Sequence, residues 1–113
     1  MMKKILFENI DFADSEFHSI AIHENSLKLT LLSWNSKEIV ILFSDAIQFI
    51  YKLGDVTQQV VEVVNGSDFL NEALTRNYEI IPADHPYHLF QIIDINDYPY
   101  IEIVATNVNH FNG

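Results

Sequence analysis

The chain of 113 residues contains no cysteine, which excludes disulfides, thiolate catalysis and cysteine-ligated metal centres. It has only three glycines and three prolines, which leaves little material for long flexible linkers. The longest apolar run, residues 39–43, is far shorter than the roughly 20 residues of a membrane-spanning helix. The apolar stretch after Lys3 and Lys4 is likewise too short for a signal peptide. We therefore expect one domain, residues 1–113, located in the cytoplasm.

Basic residues are also scarce. Six Lys and Arg face sixteen Asp and Glu, which gives a formal net charge of −10. Residues 57–113 hold eight of the acids and a single base, Arg76, a net of −7. A surface of this sign attracts basic partners and repels nucleic acid and anionic membranes. Because no Gly-rich phosphate-binding motif and no G-x-S-x-G motif occurs, we also expect no enzymatic activity.

Alternation of apolar and polar residues, which is typical of β-strands, runs through most of the chain. Residues 45–53 fit either a capped helix or a strand, and their β-branched and aromatic residues favour the strand. With that segment, the pattern predicts about seven short strands at 17–23, 27–31, 39–43, 45–53, 56–64, 87–95 and 99–104.

One short helix is predicted at about 67–76. Ser67 can cap its first amides, and Phe69, Leu70, Ala73 and Leu74 form one apolar stripe. A helix of this length must pack on a sheet to be stable. The predicted fold is therefore an α+β domain dominated by a curved antiparallel β-sheet. The pattern does not distinguish a closed barrel from an open sheet.

His85 and His88 lie beside Asp84 in the densest polar cluster of the chain. They could form a metal site or supply a general base. However, Pro86 favours an extended chain at His85, and in an extended chain residues three apart point to opposite faces. We therefore predict a loop leading into a strand, with no metal and no cofactor, and leave the role of the two histidines open.

Acidic residues surround two tyrosines in the last predicted hairpin. Exposed tyrosines are common contact residues at interfaces, and acids around them steer a basic protein towards the surface. The predicted partner-binding residues are Asp84, Asp94, Asp97, Tyr98, Tyr100 and Glu102.

The order of motifs resembles that of small bacterial immunity proteins, which accompany polymorphic secreted toxins. An Asp-Ser element at 14–15 precedes Leu-Lys-Leu-Thr-Leu at 27–31 and Phe-Ser-Asp-Ala at 43–46, and the hairpin at 87–105 is similar too. The resemblance covers about half of the chain. Ala13 departs from it, since a His is expected before the Asp-Ser element. Membership would imply a stoichiometric inhibitor of a toxin, without catalytic residues.

Charge and resemblance together favour one hypothesis: a non-enzymatic acidic protein that masks a basic protein surface, such as a cognate toxin domain. Three alternatives stay open. They are a β-module that binds a small molecule, a structural protein that forms a homodimer through a sheet edge, and a hydrolase that uses histidine and a carboxylate.

Overall fold

The computed structural model describes residues 2–64 and 67–112, and these form nine strands and one helix. The elements are β1 (Lys3–Leu6), β2 (Glu16–His23), β3 (Ser26–Leu32), β4 (Glu38–Ser44), β5 (Gln48–Tyr51), β6 (Thr57–Val63), α1 (Asp68–Asn77), β7 (His88–Asp94), β8 (Pro99–Ala105) and β9 (Asn107–Asn112). Among the described residues, no helix has the length and apolar character that crossing a bilayer requires.

The strands form two antiparallel sheets. One has five strands in the order β1-β6-β7-β8-β5, and the other has four in the order β2-β3-β4-β9. Their facing sides share one apolar core, so the sheets lie face to face. The core includes Leu27, Leu29, Leu31, Ile41, Phe43, Val60, Phe90, Ile92, Ile101 and Ile103. Because these side chains fill the space between the sheets, the fold is a packed sandwich.

The predicted class, mainly antiparallel sheet with one short helix, is confirmed, but the count of about seven strands was too low. The ambiguous segment contains the short strand β5, and the two additional strands are β1 and β9. Both lie at sheet edges, where one neighbour suffices for pairing. Their sequences lack the regular apolar alternation that marks a strand in this chain.

Helix α1 begins and ends within one residue of the prediction. The Ser67 hydroxyl accepts a hydrogen bond from the Leu70 amide at 3.1 Å, which caps the first turn. The helix buries Ala73 and Leu74 against Val63, Leu89 and Val104 on the outer face of the five-stranded sheet. This packing supplies the stability that a ten-residue helix lacks in isolation.

The topology brings the connections of both sheets together at two opposite ends. The bridge between Ser15 and Thr57 aligns the start of β2 with the start of β6. Four connecting segments therefore meet at one end, called the loop end here: residues 7–15, 33–37, 52–56 and 95–98. The opposite end, called the helix end, carries α1, the segment 78–87 and the turns at 24–25 and 45–47.

Candidate functional site

The loop end gathers acidic residues from both halves of the chain. Seven exposed carboxylates lie in its segments or at the first residue of the adjoining strands β2 and β4, against two lysines, a net of −5. The acids are Glu8, Asp11, Asp14, Glu16, Glu38, Asp55 and Asp97, and the lysines are Lys37 and Lys52. The helix end is acidic as well, so the negative charge is divided between the two ends; its elements hold six exposed acids against Arg76, namely Glu24, Asp45, Asp68, Glu72, Glu79 and Asp84.

Among the described residues, no Lys or Arg lies within ion-pair distance of these carboxylates. Within residues 2–64 and 67–112, the only close contact between a basic and an acidic side chain joins His88 Nδ1 and Glu62 Oε2 at 3.1 Å, and it lies towards the other end of the strands. These carboxylates produce a negative potential that extends about one Debye length into solution, about 8 Å at physiological salt. A cationic protein is attracted by such an end before contact.

Large apolar side chains are exposed among these acids. Trp34 is 76% exposed, Leu53 88% and Tyr98 41%, and Ile95 is also exposed. Trp34 borders a cleft of about 590 Å³ between segments 7–15 and 33–37. Exposed apolar residues among charged ones are the usual composition of a protein-binding surface.

Asp94 organises the β7–β8 turn from the inside. Its side chain is 2% exposed. Its Oδ1 accepts hydrogen bonds from the amides of Asn96 and Tyr98, and its Oδ2 accepts one from the amide of Asp55 at 3.0 Å. These amides, that of Asp55 foremost, lower the pKa of Asp94 against the opposing effect of burial. The carboxylate therefore fixes segment 52–56 to the turn that presents Tyr98.

Tyr100 lies below the same surface. Its hydroxyl shares a 2.7 Å hydrogen bond with Thr57 Oγ1, and burial raises its pKa to about 12. Gly54 passes directly over it, since a Cβ at Gly54 would lie 2.5 Å from the Tyr100 Cβ. The Lys52 amide also donates to the Tyr100 carbonyl at 2.8 Å. Tyr100 thus supports segment 52–56.

The structure separates the six residues predicted to bind a partner. Asp97 and Tyr98 are exposed at the loop end. Asp94 and Tyr100 are each 2% exposed, so the direct contact predicted for them is corrected to a supporting role. The sequence pattern placed these four residues in one hairpin but gave no sign of which side chains turn inwards.

The other two residues lie away from the loop end. Glu102 is in the middle of the outer face of the five-stranded sheet, where it accepts a hydrogen bond from Gln91 Nε2 at 2.6 Å. Asp84 is in the segment before β7, at the helix end, and it contributes to the raised pKa of Tyr78 after burial and Tyr87. Strand β7, which connects the helix end with Asp94 at the loop end, is about 20 Å long at 3.3 Å per residue. The six residues therefore do not form one patch.

Sequence reasoning missed most of the loop end. Glu8, Asp11 and Asp14 lie in the half of the chain with the weaker net charge, and only the folded topology joins them to Asp55 and Asp97. A signal for their location was present in the Ser-Trp-Asn-Ser sequence at 33–36 and in the acids at 8–14. Both are polar segments between strands, and such segments cluster at the ends of a sandwich.

His85 and His88 contact different partners. His85 Nδ1 accepts a hydrogen bond from the Tyr87 amide at 3.2 Å, whereas His88 contacts Glu62. No group of three or more His, Asp or Glu side chains in the described part of the chain is arranged to hold a metal ion. His85 and His88 therefore do not cluster with one acid, which is the arrangement that the hydrolase alternative requires.

Comparisons with family models, with curated proteins and with solved structures give no significant match to this chain.

Proposed function

We propose that this protein is a non-enzymatic binding protein whose loop end masks a basic surface of a partner protein. The observation that carries the proposal is the set of seven exposed carboxylates, free of ion pairs to Lys or Arg among the described residues, around exposed Trp34, Leu53 and Tyr98. The acids attract the partner from a distance, and the apolar residues lose contact with water on binding.

The most concrete form of this function is neutralisation of a toxin by an immunity protein. Nuclease domains hold their substrate in a basic cleft, and an acidic surface can cover such a cleft. Two considerations support this form: the charge of the loop end and the resemblance of the chain's motif order to immunity proteins. Inhibition would then follow from occlusion of the cleft, so the proposal requires no catalytic group.

The test uses two variants with equal loss of charge. The loop-end variant combines Glu8→Gln, Asp14→Asn, Glu16→Gln and Asp97→Asn. The helix-end control combines Asp68→Asn, Glu72→Gln, Glu79→Gln and Asp84→Asn, all of which are exposed. Each change keeps the size of the side chain and removes one negative charge.

The partner tested first is the protein encoded next to this chain's gene. We expect wild type and the helix-end control to bind it alike and to protect cells that express it. The loop-end variant should bind at least about tenfold more weakly, because four charges at one interface contribute well over 1.4 kcal/mol. Equal binding by both variants would contradict the proposal. So would a neighbouring product that lacks a basic surface and does not bind.

A further inference from the structure

One side of the sandwich is left open between two edge strands. Strand β2 is the free edge of the four-stranded sheet and β5 is the free edge of the five-stranded sheet. Phe17 of β2 stacks on Tyr51 of β5, with ring centroids 4.4 Å apart. Towards the helix end, the Ala46 amide donates to the Asn25 carbonyl at 2.7 Å. These two contacts delimit an opening, called the edge groove here.

The edge groove is apolar and contains a slot for one side chain. Its walls include Ile22, which is 62% exposed, and Phe49, which is 39% exposed, and Leu27 of the core contributes to its lining. The slot between them measures about 180 Å³. That volume is close to the roughly 150 Å³ of an apolar cavity that accepts a benzene ring. It therefore suits one aromatic or branched aliphatic side chain.

Strand β2 also offers a backbone to pair with. It is eight residues long, contains no proline or lysine, and pairs with β3 alone. Along 17–23, its outward amides and carbonyls take no part in the sheet, and an edge of this kind can accept an added strand. The bulge between Phe17 and Ser19 limits regular pairing to the residues beyond it.

The charges at the ends of β2 indicate what kind of strand fits. Exposed Glu16 begins the strand, and exposed Glu24 follows its last residue. Opposite charges on neighbouring strands attract, whereas like charges repel. A second copy paired antiparallel along β2 would place Glu16 opposite Glu24 twice, and each copy carries a net charge of −10. A segment with a basic residue at each end has the complementary pattern.

We infer that the edge groove binds an extended segment of the basic partner. The segment spans about eight residues, carries Lys or Arg at both ends, and alternates apolar and polar residues between them. One of its apolar side chains fills the slot between Ile22 and Phe49, and its backbone pairs with β2. This inference rests on the proposed function, because it assumes that the partner is basic.

The test titrates two acetylated and amidated peptides of identical composition into the isotope-labelled protein and follows backbone amides by NMR. The first peptide, Lys-Phe-Thr-Val-Thr-Leu-Ser-Lys, alternates, and the second, Lys-Phe-Leu-Thr-Ser-Val-Thr-Lys, does not. Matched variants are Ile22→Lys in the groove and Ile5→Lys on β1, at the opposite edge, where Ile5 is 50% exposed.

We expect the alternating peptide to shift the amides of β2 and β5 and to bind more tightly than the other peptide. Ile22→Lys should weaken its binding at least about tenfold, as loss of an interface contact of 1.4 kcal/mol or more does, whereas Ile5→Lys should leave it unchanged. Absence of binding, or equal loss in both variants, overturns the inference.

Two further results would overturn it while leaving the proposed function intact. One is equal binding of both peptides with shifts confined to the loop end, which would show attraction by the acids alone. The other is a dimer in solution that Ile22→Lys dissociates, which would show that a second copy occupies the edge groove.

Discussion

The hydrogen bond between Tyr100 and Thr57 gives a sharp test of how the loop end is supported. The two hydroxyls are 2.7 Å apart, with Tyr100 2% and Thr57 0% exposed. Tyr100→Phe keeps the ring below Gly54 but leaves the Thr57 hydroxyl buried without this partner. An unpaired buried polar group costs about 1–3 kcal/mol. We expect the free energy of unfolding at pH 7 to fall by about 1–2 kcal/mol.

The effect of Tyr100→Phe on stability should also depend on pH. The pKa of Tyr100 is raised to about 12 in the folded protein, whereas an unfolded tyrosine titrates near pKa 10. Between pH 10 and 12 the unfolded chain therefore releases this proton first, and wild-type stability falls as pH rises. The slope from this group approaches about 1.4 kcal/mol per pH unit. Because Tyr100→Phe lacks this hydroxyl, the difference in stability between wild type and the variant should be constant below pH 10 and become smaller above it.

Urea unfolding followed by circular dichroism, at pH 7 and from pH 9 to 11.5, measures both effects. Tyr98→Phe is the matched control, because Tyr98 is 41% exposed, and it should change stability by less than about 0.5 kcal/mol. Thr57→Val completes a double-mutant cycle, in which a coupling near 1 kcal/mol is expected. If Tyr100→Phe equals wild type in stability and in pH dependence, the reasoning is wrong.

Three other predictions concern the turns. Gly54→Ala forces a Cβ to within 2.5 Å of the Tyr100 Cβ. The free energy of unfolding, measured by thermal unfolding, should therefore fall by about 1–3 kcal/mol. An unchanged melting temperature would refute the close approach. Asp94→Asn removes a carboxylate whose pKa is lowered by hydrogen bonds from three backbone amides. The variant should therefore be less stable than wild type near pH 7, and this stability difference should become smaller as pH falls below about 4. Urea unfolding that gives the same stability difference at pH 3 and pH 7 would count against this. Glu24 adopts a φ of 56°, a backbone conformation that Asn tolerates better than Glu does. Glu24→Asn should therefore raise the free energy of unfolding by about 0.5–1 kcal/mol in urea unfolding. A free energy of unfolding below that of wild type would contradict the assigned turn.

Much of the fold could be predicted from local pattern. The meander of β2, β3 and β4, the β7–β8 hairpin and helix α1 all have clear periodicity and turn residues. The edge strands β1 and β9 lack such periodicity, because they form by pairing with strands that are distant in the sequence. Division into two sheets also depends on such contacts, so the sequence left barrel and open sheet undecided.

The candidate site was harder to predict because it is assembled from distant segments. Asp97 and Tyr98 were found from their turn, but the acids of 8–14 and exposed Trp34 join them only through the arrangement of the sandwich. Two tyrosines of the same hairpin differ in burial, since Tyr98 is exposed and Tyr100 is buried. A shift in the β7–β8 register lies at Tyr100. Alternation alone does not reveal such a shift.

The salt dependence of the association rate tests whether the loop-end carboxylates guide a basic partner. The association rate of the partner with wild type, the loop-end variant and the helix-end control would be measured from 20 to about 500 mM salt by stopped flow. We expect the association rate to fall steeply with salt for wild type and the helix-end control, and much less steeply for the loop-end variant. Equal slopes for the two variants would show that the carboxylates of the loop end do not guide the partner.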